Sequence, residues 1–110
     1  MADLKPEEQS RINDLLSQRK LCMVNEITRL DDGQTSVEYL VQLVSWKCAK
    51  YEEDIKNALY SDFHVTLSDS WSYSNDLHEA APQEITEAVV LRRQDKAKSQ
   101  DDQELLRISD

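Results

Sequence analysis

The chain contains one glycine, Gly33, and two prolines, Pro6 and Pro82. Sandwiches, barrels and doubly wound sheets need a turn residue at short intervals, and a chain so poor in backbone punctuation cannot supply them. Long helices, which use Pro and Gly only at their ends, satisfy the constraint. With 110 residues, 39% of them hydrophobic, there is material for one domain with a modest core and little margin of stability.

Residues 5–31 are expected to form a first helix, with Pro6 in its first turn and Glu7 and Glu8 at its positive end. The apolar positions Ile12, Leu15, Leu16, Met23, Ile27 and Leu30 keep helical spacing, interrupted by Arg19. Gly33 is available for a left-handed cap, and Thr35 with Glu38 matches a capping box ahead of the next apolar run. The second helix, about 36–60, carries Val37, Leu40, Val41, Val44, Cys48, Tyr51, Ile55 and Leu59 on one stripe. Folding the segments back on each other pairs Leu30 with Val37, Ile27 with Leu40, Met23 with Val44, Leu16 with Tyr51 and Ile12 with Ile55. One antiparallel register therefore joins five apolar pairs, as an αα-hairpin requires. It also sets Arg19 opposite Cys48, where its stem packs and its guanidinium reaches water.

Asp32-Gly33 between apolar runs rich in β-branched residues is also a β-hairpin signal, and an α+β fold with a hairpin around Asp31–Gln34 is the alternative. Helices sort the residues better, because Tyr39, Leu43 and Trp46 fall on a second stripe of the same helix. Two stripes call for two neighbours. A shorter third helix over 84–93, entered from Pro82 and carrying Ile85, Ala88 and Val89, provides one; a second copy of the chain provides the rest, which makes the expected assembly a dimeric bundle. Residues 1–93 are thus read as a single helical domain. Residues 94–110 are read as a charged extension, an exposed helix or a disordered tail, with Leu105, Leu106 and Ile108 packing back on the domain or docking elsewhere.

Thirteen Lys and Arg against 22 Asp and Glu give a net charge of -9, which counts against nucleic-acid and membrane-surface binding. The charge is localised. Between Lys56 and Arg92 there is no Lys or Arg, while Asp62, Asp69, Asp76, Glu79, Glu84 and Glu87 all lie there, with Tyr60, Phe63, Trp71 and Tyr73. The centre of this segment, 66–76, is rich in Ser, Asn and aromatic residues and reads as a connecting loop, with Asp76 and Glu79 at the start of the next helix. Asp62, Phe63, Asp69, Trp71, Tyr73, Asp76 and Glu79 are therefore the candidate partner-binding residues: aromatic anchors ringed by carboxylates, suited to a basic protein surface. The other reading of these aromatics is that they fold under and cap the bundle.

Enzymatic chemistry finds little support. His64 and His78 have no metal-ligand spacing, the Glu52, Glu53, Asp54 run lacks the paired spacing of helical Mg²⁺-dependent hydrolases, and one glycine makes no phosphate loop. The expectation is a non-enzymatic interaction module, an adaptor, regulator or inhibitor, with no cofactor and no metal. An acidic mimic of nucleic acid and a helical metal-dependent hydrolase are the alternatives. Cys22 and Cys48, in no metal-binding pattern, are expected to be free thiols in a reducing cytoplasm.

Overall fold

A computed structural model describes the backbone of residues 4–108 and the side chains of residues 4–98. The fold is all-α: α1 spans Pro6–Leu30, α2 Val37–Asn57 and α3 Leu67–Ile108, with a π-helical turn at Ala58–Asp62 continuing α2. No strand occurs among the described residues, so the β-hairpin alternative is overturned.

The helix ends follow from local chemistry. Pro6 occupies the first turn of α1, and the Glu8 carboxylate accepts the Lys5 backbone N–H at 2.9 Å. Gly33 takes the left-handed conformation at φ 84°, two residues beyond the α1 cap Asp31. The α2 cap is Ser36, whose hydroxyl accepts the Tyr39 N–H at 3.2 Å, and not the Thr35–Glu38 box. At the second reversal there is no glycine, and His64 itself adopts φ 57°. Histidine tolerates that region better than β-branched residues do. The Thr66 hydroxyl then accepts the Asp69 N–H and opens α3.

α3 is the principal departure from expectation. The third helix is the longest element, 42 residues or about 63 Å at 1.5 Å per residue, against about 37 Å for α1. It incorporates 66–76, expected as a loop, and passes through Pro82, expected as its entrance. Asp76 and Glu79 accordingly lie inside the helix and not at its start. The Ser-rich stretch serves packing. Ser70 and Ser74 are buried, and Ser74 Oγ donates to the Glu52 carbonyl of α2 at 3.2 Å. Small side chains there let the two helices approach closely. α3 continues as far as Ile108, and the packing of Leu105, Leu106 and Ile108 lies outside the described side chains. With a long axis of 65 Å and a radius of gyration of 18.4 Å, against about 13 Å for a compact chain of this length, the molecule is elongated.

The core has two apolar clusters. One joins Met23 and Ile27 to Leu40, Val44 and Cys48 and to Ala81, Ile85 and Val89. The other joins Ile12 to Ile55, Ala58, Leu59 and Val65. Contacts run in opposite directions along α1 and α2: Ile27 and Leu40, Met23 and Val44, and Ile12 and Ile55 share clusters, while the Cys22–Cys48 bond and the Arg19–Glu52 pair join positions three and four residues past the expected register. Cys48, expected opposite Arg19, is bonded to Cys22, with Cα atoms 5.9 Å apart. This disulfide overturns the free-thiol expectation, and the cytoplasmic placement loses the support it drew from it. No helix among the described residues is long and apolar enough to cross a membrane.

Arg19 lies between the two clusters and is 3% exposed, so the expectation that its guanidinium reaches water fails. The reason is supplied by α3: Arg19 donates to both Glu84 oxygens at 3.1 and 3.2 Å and to the Leu77 carbonyl at 2.7 Å. From α2, Glu52 lies 3.4 Å away and in turn meets His78 Nδ1 at 3.1 Å. A buried charge held this way has its donors satisfied by partners on both other helices.

Candidate partner-binding surface

The seven candidate residues divide into two groups. Trp71, Asp76 and Glu79 come together on the outer face of α3, lining an open trough of about 630 Å³ with Leu67 and Asn75. Helical geometry explains the grouping, because 67, 71 and 75 are successive i, i+4 positions on one ridge. Trp71 is 50% exposed and Leu67 49% exposed. The indole is oriented by Lys56 of α2, whose ammonium sits 4.5 Å from the ring centroid, a cation–π contact at a partly exposed site.

Phe63, Tyr73 and Asp62 are used elsewhere. Phe63 and Tyr73 are half-buried and pack against the Ile12–Leu59 cluster, as in the fold-under reading. The Phe63 ring also carries the Arg11 guanidinium at 5.5 Å. Arg11 pairs with Asp62 at 2.8 Å, so that carboxylate is answered within the chain. Asp69 is exposed in the first turn of α3 and does not line the trough.

Two contributors escaped sequence reasoning, Leu67 and Lys56. Leu67 was hidden because reading 66–76 as a loop erased its four-residue spacing to Trp71. Lys56 marks the edge of the acid-only window in sequence, yet it reaches over the centre of that window in space. Beside it, a cavity of about 200 Å³ between α2 and α3 is lined by Glu52, Glu53, Lys56, Trp71 and His78. On the far side of α2, Trp46 and Tyr39 are 75% and 54% exposed. The stripe they form with Leu43 was expected to be covered, but α3 packs on the Leu40, Val44 and Cys48 face instead.

The strongly held carboxylates lie away from the trough, at the α1–α2 loop. Asp31 is buried; hydrogen bonds from Arg93 Nε at 3.2 Å and Nη2 at 2.8 Å hold its carboxyl below the ordinary carboxylate value. Asp32 is lowered to about 2, first by the Gln34 N–H and then by the Thr35 N–H and hydroxyl. Both are structural: they fix the loop. Among the described residues no group of three or more His, Cys, Asp or Glu is arranged to hold a metal ion. Comparison with family models, curated proteins and solved structures finds no match to this chain.

Proposed function

We propose that this protein is a non-enzymatic binding module that engages a protein partner through the first turns of α3. Trp71 and Leu67 are its apolar anchors, and Asp76 and Glu79 steer a basic partner surface toward them. The observation that carries this reading is the half-exposed Trp71 beside an exposed leucine, in an open trough bordered by carboxylates. Large apolar residues grouped on one exposed face, rimmed by polar ones, are typical of interaction sites.

The acidic-mimic alternative draws less support, because Lys56 lies over Trp71 and Arg11 answers Asp62, which interrupts the acidic track. The hydrolase alternative also draws less, because Glu52 is engaged by Arg19 and His78 and offers no free carboxylate pair with Glu53 or Asp54. The test is affinity capture from the native cell with wild-type protein, Trp71→Ala and the double variant Asp76→Lys, Glu79→Lys. A specific partner should be recovered by the wild type and reduced tenfold or more by either variant, while the unfolding temperature of Trp71→Ala stays within a few degrees of wild type. A partner retained in full by both variants would place the contact elsewhere.

A further inference from the structure

The Trp71 indole stands between two spaces, the open trough on the outer face of α3 and the smaller cavity between α2 and α3, and lines both. The ring already carries a cation. The Lys56 ammonium lies 4.5 Å from the ring centroid and 2.6 Å from a Glu53 carboxylate oxygen, and the Lys56 side chain is 15% exposed. A lysine head is strongly hydrated and ordinarily stays in water while its stem packs. Its withdrawal onto an aromatic ring beside a carboxylate marks a place with affinity for a cationic side chain, and a residue of the chain itself stands where a cationic ligand would.

The hold on Lys56 is exchangeable. Glu52, the other carboxylate lining the cavity, is taken by Arg19 and His78, which leaves Glu53 and the ring as the contacts of the ammonium. Glu53 lies three residues before Lys56 on the same helix and is 58% exposed, so the two can turn outward as a pair. Only the cation–π contact is then lost, a small contribution at a partly exposed site. A cation arriving from outside makes the same contact with the ring, and two further carboxylates, Asp76 and Glu79, line the trough that the ring borders. Arginine suits the exchange better than lysine, because its planar guanidinium is more weakly hydrated and stacks flat on an aromatic face.

We propose, resting on the partner-binding reading of the trough, that Lys56 is a built-in competitor there: it occupies Trp71 in the free protein, and an arginine side chain of the basic partner displaces it and takes its place on the ring. The group recognised is thus a guanidinium, and a partner surface without one meets a ring already covered.

NMR titration of the full chain with tri-arginine amide tests it, with the neutral isostere tri-citrulline amide as control. Protons held over an indole ring are shifted upfield, so the Lys56 ε-methylene should resonate upfield of an exposed lysine in the free protein and return to the exposed position as tri-arginine binds. Lys56→Met keeps the stem and removes the charge, and should raise the affinity for tri-arginine about two- to fivefold. Lys50→Met, the same change of net charge at an exposed position of α2 outside both linings, should change it less. In a Trp71→Leu background, Lys56→Met should gain no more than Lys50→Met does. Circular dichroism checks that each variant is folded, with Lys56→Gln replacing Lys56→Met if that variant is not. A lysine that only orients the indole gives the opposite sign, a loss of affinity in Lys56→Met, and that result would overturn the proposal. So would equal effects of the two lysine variants, tri-citrulline binding as well as tri-arginine, no binding of tri-arginine by either wild type or Lys56→Met, or an ε-methylene that stays upfield at saturation. Failure of the partner-binding reading shows elsewhere, as capture of no partner from the native cell, whereas displacement of Lys56 is read on the chain and the peptide alone.

Discussion

At the end of the bundle that carries residues 31–36, polar and covalent contacts are added to the apolar cluster of Met23, Ile27, Leu40 and Val89 that packs there. Arg93 reaches from α3 to the Asp31 carboxylate and the Thr35 carbonyl, Asp32 gathers the Gln34 and Thr35 N–H groups, and the Cys22–Cys48 bond ties α1 to α2. At the opposite end, residues 58–66, apolar packing does the closing: Leu59 and Val65 are buried with Ile12 and Ile55, and Phe63, Tyr73 and Leu77 lie against them. The difference assigns the aromatics. Phe63 and Tyr73 suffice to seal the apolar end, which leaves Trp71 free to face solvent on the next ridge of α3. The clamped end, by contrast, fixes the loop beside Arg92, whose Nε lies 3.6 Å from the Asp31 carboxylate.

Arg19 separates the two ends, and removing it should give the largest effect. Arg19→Met leaves Glu52 buried without its guanidinium, at a cost of about 3–5 kcal/mol in urea unfolding, a large share of the about 5–15 kcal/mol typical of a domain. Adding Glu52→Leu should recover part of that loss, since an apolar pair of similar shape needs no charge partner. A single Arg19→Met variant as stable as wild type would show that the two clusters do not depend on the charged layer between them.

The disulfide distinguishes the ends next. Closing a loop between positions 26 residues apart restricts the unfolded chain, and replacing both cysteines by serine should cost about 3 kcal/mol. In hydrogen exchange the lost protection should concentrate in residues 22–48, leaving 58–66 closer to wild type. Equal loss at both ends would mean that the bundle opens as one unit and that the two ends are not separately held.

The all-helical fold was legible because one glycine and two prolines leave few ways to turn, and because the stripes of α1 and α2 keep strict helical spacing. The register was legible only to within a turn, since apolar stripes match themselves at each turn, and the disulfide and the Arg19–Glu52 pair that select the observed alignment are cross-helix contacts. The start of α3 was hidden by composition. Serine favours caps and turns by local propensity, whereas Ser70 and Ser74 are helical here because α2 needs small neighbours, a tertiary demand that sequence spacing does not display. Of the candidate residues, Trp71, Asp76 and Glu79 meet on one exposed trough. Phe63 and Tyr73 pack on the Ile12–Leu59 cluster instead, which spacing does not display, because half-buried and exposed aromatics have the same signature until the cluster beneath them is known.

Acid should loosen the clamped end before the packed one. The Asp31 carboxyl, held down chiefly by the Arg93 hydrogen bonds, and the Asp32 carboxyl, lowered to about 2, both titrate below their ordinary value of 3.8. A carboxyl whose folded value is depressed contributes stability that is complete above its unfolded value and is lost as pH falls through the folded one. Protonation should therefore release residues 31–36 between about pH 4 and pH 2, with amide exchange rising there while the packed residues 58–66 hold longer. Asp31→Asn removes the charge but keeps the shape, and should cost about 1.5 kcal/mol at neutral pH, the lower end for a hydrogen bond to a charged group. It should also flatten the acid response of the loop, leaving only the Asp32 share. If the variant melts in acid along the same curve as wild type, the clamp is not what holds that end, and the disulfide alone accounts for the contrast between the two.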